Sequence, residues 1–181
     1  MNFCSHCGSA DLSLVIPEGD NRPRHVCSHC QTIHYSNPNI VTGCLPVWED
    51  KVLLCRRAIA PREGYWNIPS GYLENGETVD EGAVRELWEE ARARATDLRV
   101  LSIYSLPHIN QVYVHFTGQL VDGVYGIGPE STETALFSEA EIPWADIAFT
   151  SSRFSLERFF ADRRQQCVRT HIGSFSRGEK D

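Results

Sequence analysis

A chain of 181 residues, 41% of them hydrophobic, is long enough for one main domain with a small appendage. Its formal charge of -7 and pI near 5.5 argue against the basic surface that phosphate-backbone binding requires, so no nucleic-acid partner is expected. No apolar run reaches transmembrane length and no secretory signal is evident, so no membrane partner is expected and the cytoplasm is the expected location.

The chain opens with two CSHC quartets. Cys4-x2-Cys7 and Cys27-x2-Cys30, with 19 residues between the pairs, have the spacing of a four-cysteine zinc site. The chain has seven cysteines, an odd number, which argues against a disulfide framework. Four protein ligands leave no open position for water, so the expected Zn²⁺ is structural. In so short a segment its binding supplies most of the folding energy, on the order of 10 kcal/mol apparent. His6 and His29 lie inside the quartets and are bystanders once all four cysteines bind.

From Ile40 the run IVTGCLPVW, a Glu49-Asp50 turn and KVLLCRR predict a β-hairpin, with Pro46 suited to an edge or a bulge. Cys44 and Cys55 fall in these strands as small hydrophobes; they and Cys167 are assigned no function. Residues 58 to 76, rich in Gly, Pro and polar groups, predict a loop. Thr78 with Glu81 three residues on has capping-box spacing and predicts a helix to about Ala91. Strands recur at Arg99 to Ser105 and Gln111 to Val121. In the latter Val112, Val114 and Phe116 alternate with Tyr113, His115 and Thr117, the pattern of a half-buried sheet. A last helix is expected from about Ser151 to Gln165 with Phe154, Phe159 and Phe160 inward, followed by a mobile polar end from about Thr170.

The chemistry concentrates in the first helix. At about 100° per residue, Glu86, Glu89 and Glu90 fall within an arc of about 100°, with Arg85 at its edge and Val84, Leu87, Trp88 and Ala91 on the opposite, core-facing side. Three carboxylates within one turn repel one another, and a positive charge should compensate. Hard oxygen ligands suit Mg²⁺ or Mn²⁺, which are held by a few carboxylates, waters and substrate phosphates. Gly82 projects into the same acidic face, where its missing side chain would leave room for metal or phosphate.

Gly71, five residues, Glu77, seven residues and Arg85-Glu86-Leu87-Trp88-Glu89-Glu90 resemble the Nudix box, G-x5-E-x7-R-E-U-x-E-E-x-G-U with U bulky and apolar. Arg92 stands where the box has glycine and Ala93 is a weak match to its last apolar position, which leaves the ligands intact and puts the helix C-terminus in question. The resemblance implies an α+β fold, the Nudix α/β/α sandwich with a mixed sheet over residues 37–166, preceded by a zinc ribbon over 1–36 and followed by a polar tail over 167–181. It further implies that Glu86, Glu89 and Glu90 bind the metal, that Gly71 lends its carbonyl, and that Glu77 pairs with Arg85. For the general base, Glu86 competes with Glu130 or Glu133.

Zinc ribbon followed by Nudix domain resembles the NADH pyrophosphatase branch and, more closely, the FAD and ADP-ribose pyrophosphatases, which share the look of KVLLCRR and YWNIPSGYLENGE. The implied reaction is hydrolysis of FAD to FMN and AMP, or of ADP-ribose to AMP and ribose 5-phosphate. NADH stands second, because an SQPWW-type array is missing. Tyr65, Trp66, Tyr104, His108 and Tyr113 are candidates to stack on the nucleotide, and Arg56 and Arg57 to meet its phosphates. Family habit implies a homodimer. A nucleotide-sensing regulator without turnover and an RNA pyrophosphohydrolase are the competing classes; the three intact glutamates count against the first and the acidic balance against the second.

Overall fold

The computed structural model describes residues 1–175. Two compact units are present, Met1–Asn37 and Pro38–Asp181. The first is an antiparallel three-stranded sheet in the order β1 (Leu12–Val15), β2 (Arg24–Cys27), β3 (Ile33–His34). It buries almost nothing apolar except Cys4 and Cys27, while Phe3, Leu14, Val15, Ile16 and Tyr35 are exposed.

The second unit is built on an eight-stranded mixed sheet. Its strands are β4 (Asn39–Trp48), β5 (Lys51–Arg57), β6 (Trp66–Asn67), β7 (Ser70–Tyr72), β8 (Ala95–Leu106), β9 (Gln111–Leu120), β10 (Ser131–Phe137) and β11 (His171–Ser174). Across the sheet the order is β10-β5-β4-β9-β8-β11, with β6 paired to β5 and β7 to β4. Two helices, α1 (Val79–Ala91) and α2 (Thr150–Arg164), cover its two faces.

Alternation along β4 and β5 divides the core between those faces. Cys44, Leu53 and Cys55 pack with Ala83, Leu87 and Ala91 of α1, whereas Leu45, Val52 and Leu54 pack with Leu156 and Phe160 of α2. KVLLCRR therefore reads as a continuous apolar run because both of its faces are covered. The same layering corrects the expectation of a half-buried sheet at β9: His115 and Phe116, on opposite faces, are both buried.

Three further expectations are revised. Pro46 lies in the central strand β4, fully buried. It falls between the stretch of β4 that pairs with β7 (Val41 to Gly43) and the stretch that pairs with β5 (Val47 and Trp48), where the ladder needs no N–H from it. Trp88 is exposed, because the buried stripe of α1 runs through Ala83, Leu87, Glu90 and Ala91. Residues His171–Ser174 of the expected mobile end instead add β11 in parallel to β8; the rest of that end, 176–181, lies outside the described residues.

Helix α1 begins with the full capping box, Thr78 accepting from the Glu81 N–H while the Glu81 carboxylate accepts from Thr78 N–H. It ends on Arg92, which adopts the left-handed conformation (φ 49, ψ 29) that glycine would take at lower cost. Gly82 is buried where α1 crosses β4: a Cβ there would meet Thr42, Leu73 and Glu77 at 2.8–2.9 Å. The missing side chain serves helix–sheet contact, and it leaves no space for metal or phosphate.

Candidate active site

A cleft of about 830 Å³ opens over the start of β7 and one face of α1. Gly71, Glu86, Glu89, Glu90 and Glu130 line it together, with Arg85 beside them. The loop of β7 approaches α1 so closely that a Cβ on Gly71 would run into the Glu86 carboxylate. The rim loop is equally tight: Gly126 N–H bonds to Ala91 O and Gly128 N–H to Glu90 O, and a Cβ on Gly128 would strike the Glu89 carbonyl. That contact carries Glu130 to the carboxylates.

Arg85 is the organising cation. Its Nε and Nη2 donate to Glu77 at 3.0 and 2.7 Å, its Nη1 donates to Glu86 and Glu89 at 2.6 and 3.1 Å, and Nη2 also reaches the Tyr72 carbonyl at 3.0 Å. The Arg85 guanidinium and the Glu74 backbone hold the Glu77 carboxyl down at about 2. A bidentate pair of this kind fixes the segment before α1 against the helix.

Glu90 is in the opposite situation. It is only 7% exposed, and burial, with the charges of Glu86 and Glu130, pushes its carboxyl up to about 8. Burial raises Glu86 as well, against the pull of Arg85. Two desolvated carboxylates with two more beside them make a set of hard oxygen donors whose ionised form calls for more positive charge than Arg85 and Arg57 provide. The donor set fits a divalent cation.

The cleft has two walls, on opposite sides of β7. One is formed by Tyr72, Val41, Gln111 and Tyr113, with Leu106, His108 and Ile109 at the end of β8. Here Tyr113 donates to Gln111 at 3.0 Å and Gln111 to the Tyr72 hydroxyl at 2.8 Å. The other is formed by Arg57, residues 59–62 and the entry to α2 at Phe149 and Thr150. Arg57 is held by its Nε on the Pro61 carbonyl at 2.8 Å, with its guanidinium 5.1 Å from the Phe149 ring centroid.

Not every sequence candidate reaches the cleft. Arg56 turns away to the Gly64 carbonyl and to Glu133, its neighbour across the β5–β10 ladder, which removes Glu133 as well. Trp66 packs edge-on to Phe137 in the core, Tyr104 is buried against Phe154, and Tyr65 does not line the cavity. Arg57, Tyr113, His108 and Glu130 do. Tyr72, Gln111, Arg62 and Phe149 were missed. Tyr72 was legible as the residue beside Gly71, whereas Phe149 is brought to the site by tertiary contacts, among them the bond from Ala148 N–H to the Trp66 carbonyl.

In the first unit Cys4, Cys7, Cys27 and Cys30 bring their sulfurs within 4.8 Å of one another, the only such cluster of possible metal ligands among the described residues. Cys4 Sγ also lies 3.3 Å from Nε2 of the buried His34. The Thr32 hydroxyl, 3.1 Å from Cys30 Sγ, and the Thr32 backbone lower the Cys30 thiol, while its neighbouring sulfurs raise Cys7, as expected where close thiols share their protons. Four sulfurs in this arrangement fit a closed zinc site.

Both units match known families: residues 2–36 the zinc-ribbon family described as Nudix N-terminal, and residues 37–161 the NUDIX domain. The chain belongs to the Nudix family. The crystal structure of a NUDIX hydrolase from Nitrosomonas europaea is 49% identical, with a TM-score of 0.91 over 97% of this chain and 99% of that one. Among curated proteins, the NAD-capped RNA hydrolase NudC of Edwardsiella ictaluri is 26% identical over 74% of this chain and 49% of its own. The ADP-ribose pyrophosphatase of Methanocaldococcus jannaschii is 28% identical over 60% of this chain and 67% of its own. The chain thus spans about half the length of the NudC relative it matches.

Proposed function

We propose that the chain is a metal-dependent pyrophosphatase that cleaves the diphosphate of an ADP-linked metabolite, with ADP-ribose or FAD as substrate. The observation that carries this reading is the placement of Glu86, Glu89 and Glu90 on the cleft surface between two unlike walls, which suits a diphosphate with a different group at each end. Glu86, Glu89 and Glu90 and the Gly71 carbonyl would hold Mg²⁺ or Mn²⁺. A bound cation of this kind neutralises diphosphate charge and lowers the pKa of water. Arg57 faces the same space and would pair with a phosphate oxygen. Tyr72, Gln111 and Tyr113 present a flat, hydrogen-bonding wall suited to a ring.

Hydrolysis forms a bond from water oxygen to one phosphorus, breaks the bridging P–O bond and releases the other phosphate as leaving group. Glu130 is the carboxylate we assign to accept the proton of the attacking water, since it lines the cleft while Glu133 is engaged by Arg56. In the first unit Zn²⁺ on the four cysteines is structural.

An NAD-type substrate is a second reading of comparable standing, favoured by the similarity to NudC proteins. The net charge of -7 weighs against a long nucleic-acid partner. A panel of ADP-ribose, FAD, NADH and capped RNA with Mg²⁺ or Mn²⁺, read for nucleotide products by chromatography, tests the assignment. AMP should appear with ADP-ribose or FAD; turnover confined to NADH or to capped RNA would move the assignment to that substrate, and turnover of none would reject it.

A further inference from the structure

The segment from Asn67 to Gly71 is squeezed between β4 and α1. A Cβ on Gly43 of β4 would overlap Pro69 and Ser70, and one on Gly71 would overlap Glu86, so the backbone here has no freedom to move toward either element. Besides its ladder to β4 and the bond from Cys44 N–H to the Pro69 carbonyl, the segment is tied by the side chain of Asn67. This side chain borders the cleft and is 1% exposed, too buried to touch a substrate.

Its hydrogen bonds form a directed chain. The Ser70 hydroxyl donates to the Ile68 carbonyl at 2.9 Å, so its oxygen accepts from Asn67 Nδ2 at 3.3 Å. The Asn67 amide is thereby oriented with Oδ1 toward α2, where it accepts from the hydroxyl of Ser152, itself 1% exposed, at 2.6 Å. At the other end of the chain Ser70 and Gly71 line the cleft together with Glu90, and Gly71 lies directly against the Glu86 carboxylate. Ser152 belongs to the turn of α2 that follows Phe149 and Thr150, which face the cleft.

We propose that Asn67 is a positioning residue that holds Ser70 and Gly71 in register with Glu90 and ties this metal-facing turn to the start of α2, so that cation affinity depends on a side chain that touches neither cation nor substrate. The proposal rests on the reading of Glu86, Glu89 and Glu90 as cation ligands. Partners behind a ligand act by fixing its orientation, and their loss costs tenfold or more in metal affinity.

The test measures Mn²⁺ binding to the full chain by electron paramagnetic resonance of free Mn²⁺, for wild type, Asn67→Ala, Ser70→Ala and the double variant, with circular dichroism to establish folding. Expected are an Mn²⁺ Kd raised about tenfold in each single variant and no further rise in the double, because both remove the same link. With ADP-ribose, kcat should fall in both while KM stays within about twofold. Ser70→Ala keeps the buried Asn67–Ser152 bond and carries the test if Asn67→Ala does not fold. Mn²⁺ affinities within twofold of wild type in folded variants, or effects that simply add, overturn the role of Asn67 and leave the metal reading standing. A wild-type protein that takes up no Mn²⁺ overturns both.

Discussion

In Met1–Asn37 the buried apolar side chains are Cys4 and Cys27 of the sulfur cluster, whereas in Pro38–Asp181 the carboxylates stand on a helix that an apolar core already holds. Leu14, Val15 and Ile16 of the first unit lie open to solvent, so little besides the sulfur cluster can oppose chain entropy. Helix α1, by contrast, buries Ala83, Leu87 and Ala91 against β4, β5 and β9 and closes both ends with its own caps. A metal in the first unit would therefore stabilise the fold; a metal in the second would act on a fold that exists without it. The acidic cluster can keep its carboxylates desolvated and mutually repelling because stability comes from elsewhere.

The largest effect should come from the first unit. Chelation of zinc, or Cys27→Ser, withdraws most of a binding free energy on the order of 10 kcal/mol apparent. Amide protons of residues 1–37 should then exchange freely in NMR while those of β4, β5 and α1 stay protected. Retained protection in the first unit would erase the contrast. Glu89→Gln and Glu90→Gln come next: turnover should fall by two to three orders of magnitude, about 3–4 kcal/mol of transition-state stabilisation, with an unchanged urea midpoint or a higher one. A raised midpoint is reasonable for Glu90→Gln, because a buried carboxyl held up at about 8 costs the folded state stability at every pH above its ordinary value of 4.5. Rates near wild type in both variants would remove the metal assignment.

The second unit has a pH weakness of its own that involves no metal ligand. His115 is fully buried; its Nδ1 lies 2.7 Å from the Ser155 hydroxyl, which in turn lies 2.7 Å from that of Ser102. Its Nε2 has no hydrogen-bond partner among the described residues. Burial pushes the imidazole down to about 4, below its ordinary value of 6.5. The unfolded chain therefore takes up the proton first as pH falls. Stability from the neutral ring is complete above pH 6.5 and is lost between 6.5 and 4, by about 3 kcal/mol over the whole window. Urea unfolding followed by tryptophan fluorescence at pH 7.5 and 4.5 should show this loss in wild type and a smaller one in His115→Gln. Equal losses would acquit the histidine.

The clustering of the cysteine quartets and of the acidic helix face was legible because each is local: two close pairs, or one turn of helix, bring those side chains together whatever surrounds them. KVLLCRR and the capping box at Thr78 were legible for the same reason. The failures share the opposite cause. Trp88 was placed inward by helical angle alone, yet the buried stripe of α1 is set by the β4–β5 surface and takes in Glu90. Pro46 reads as an edge residue until the gap between β7 and β5 is seen. Tyr104 and Trp66 are suitable rings for a nucleotide but face the core, and nothing in the sequence near Phe149 signals that it closes the cleft. His115 sits in a run that alternates as a half-buried strand would, and only α2 on the second face explains its burial.

Arg92 offers the smallest effect and the sharpest test of how far α1 is held independently of its ligands. The residue occupies the left-handed C-cap with its N–H on the Trp88 carbonyl, and its guanidinium lies 5.6 Å from the Trp88 ring centroid. A glycine would relieve a backbone penalty of roughly 1 kcal/mol and forfeit a stacking contact worth roughly 0.5 kcal/mol at an exposed site. Arg92→Gly should therefore gain about 0.5 kcal/mol, a rise of roughly 1–2 °C in Tm for a domain of this size. Arg92→Ala keeps the penalty and loses the contact, so it should lower Tm by a similar amount. If instead both variants lowered Tm alike, the cation–π contact would outweigh the strain, and the end of the cleft-lining helix would depend on Trp88.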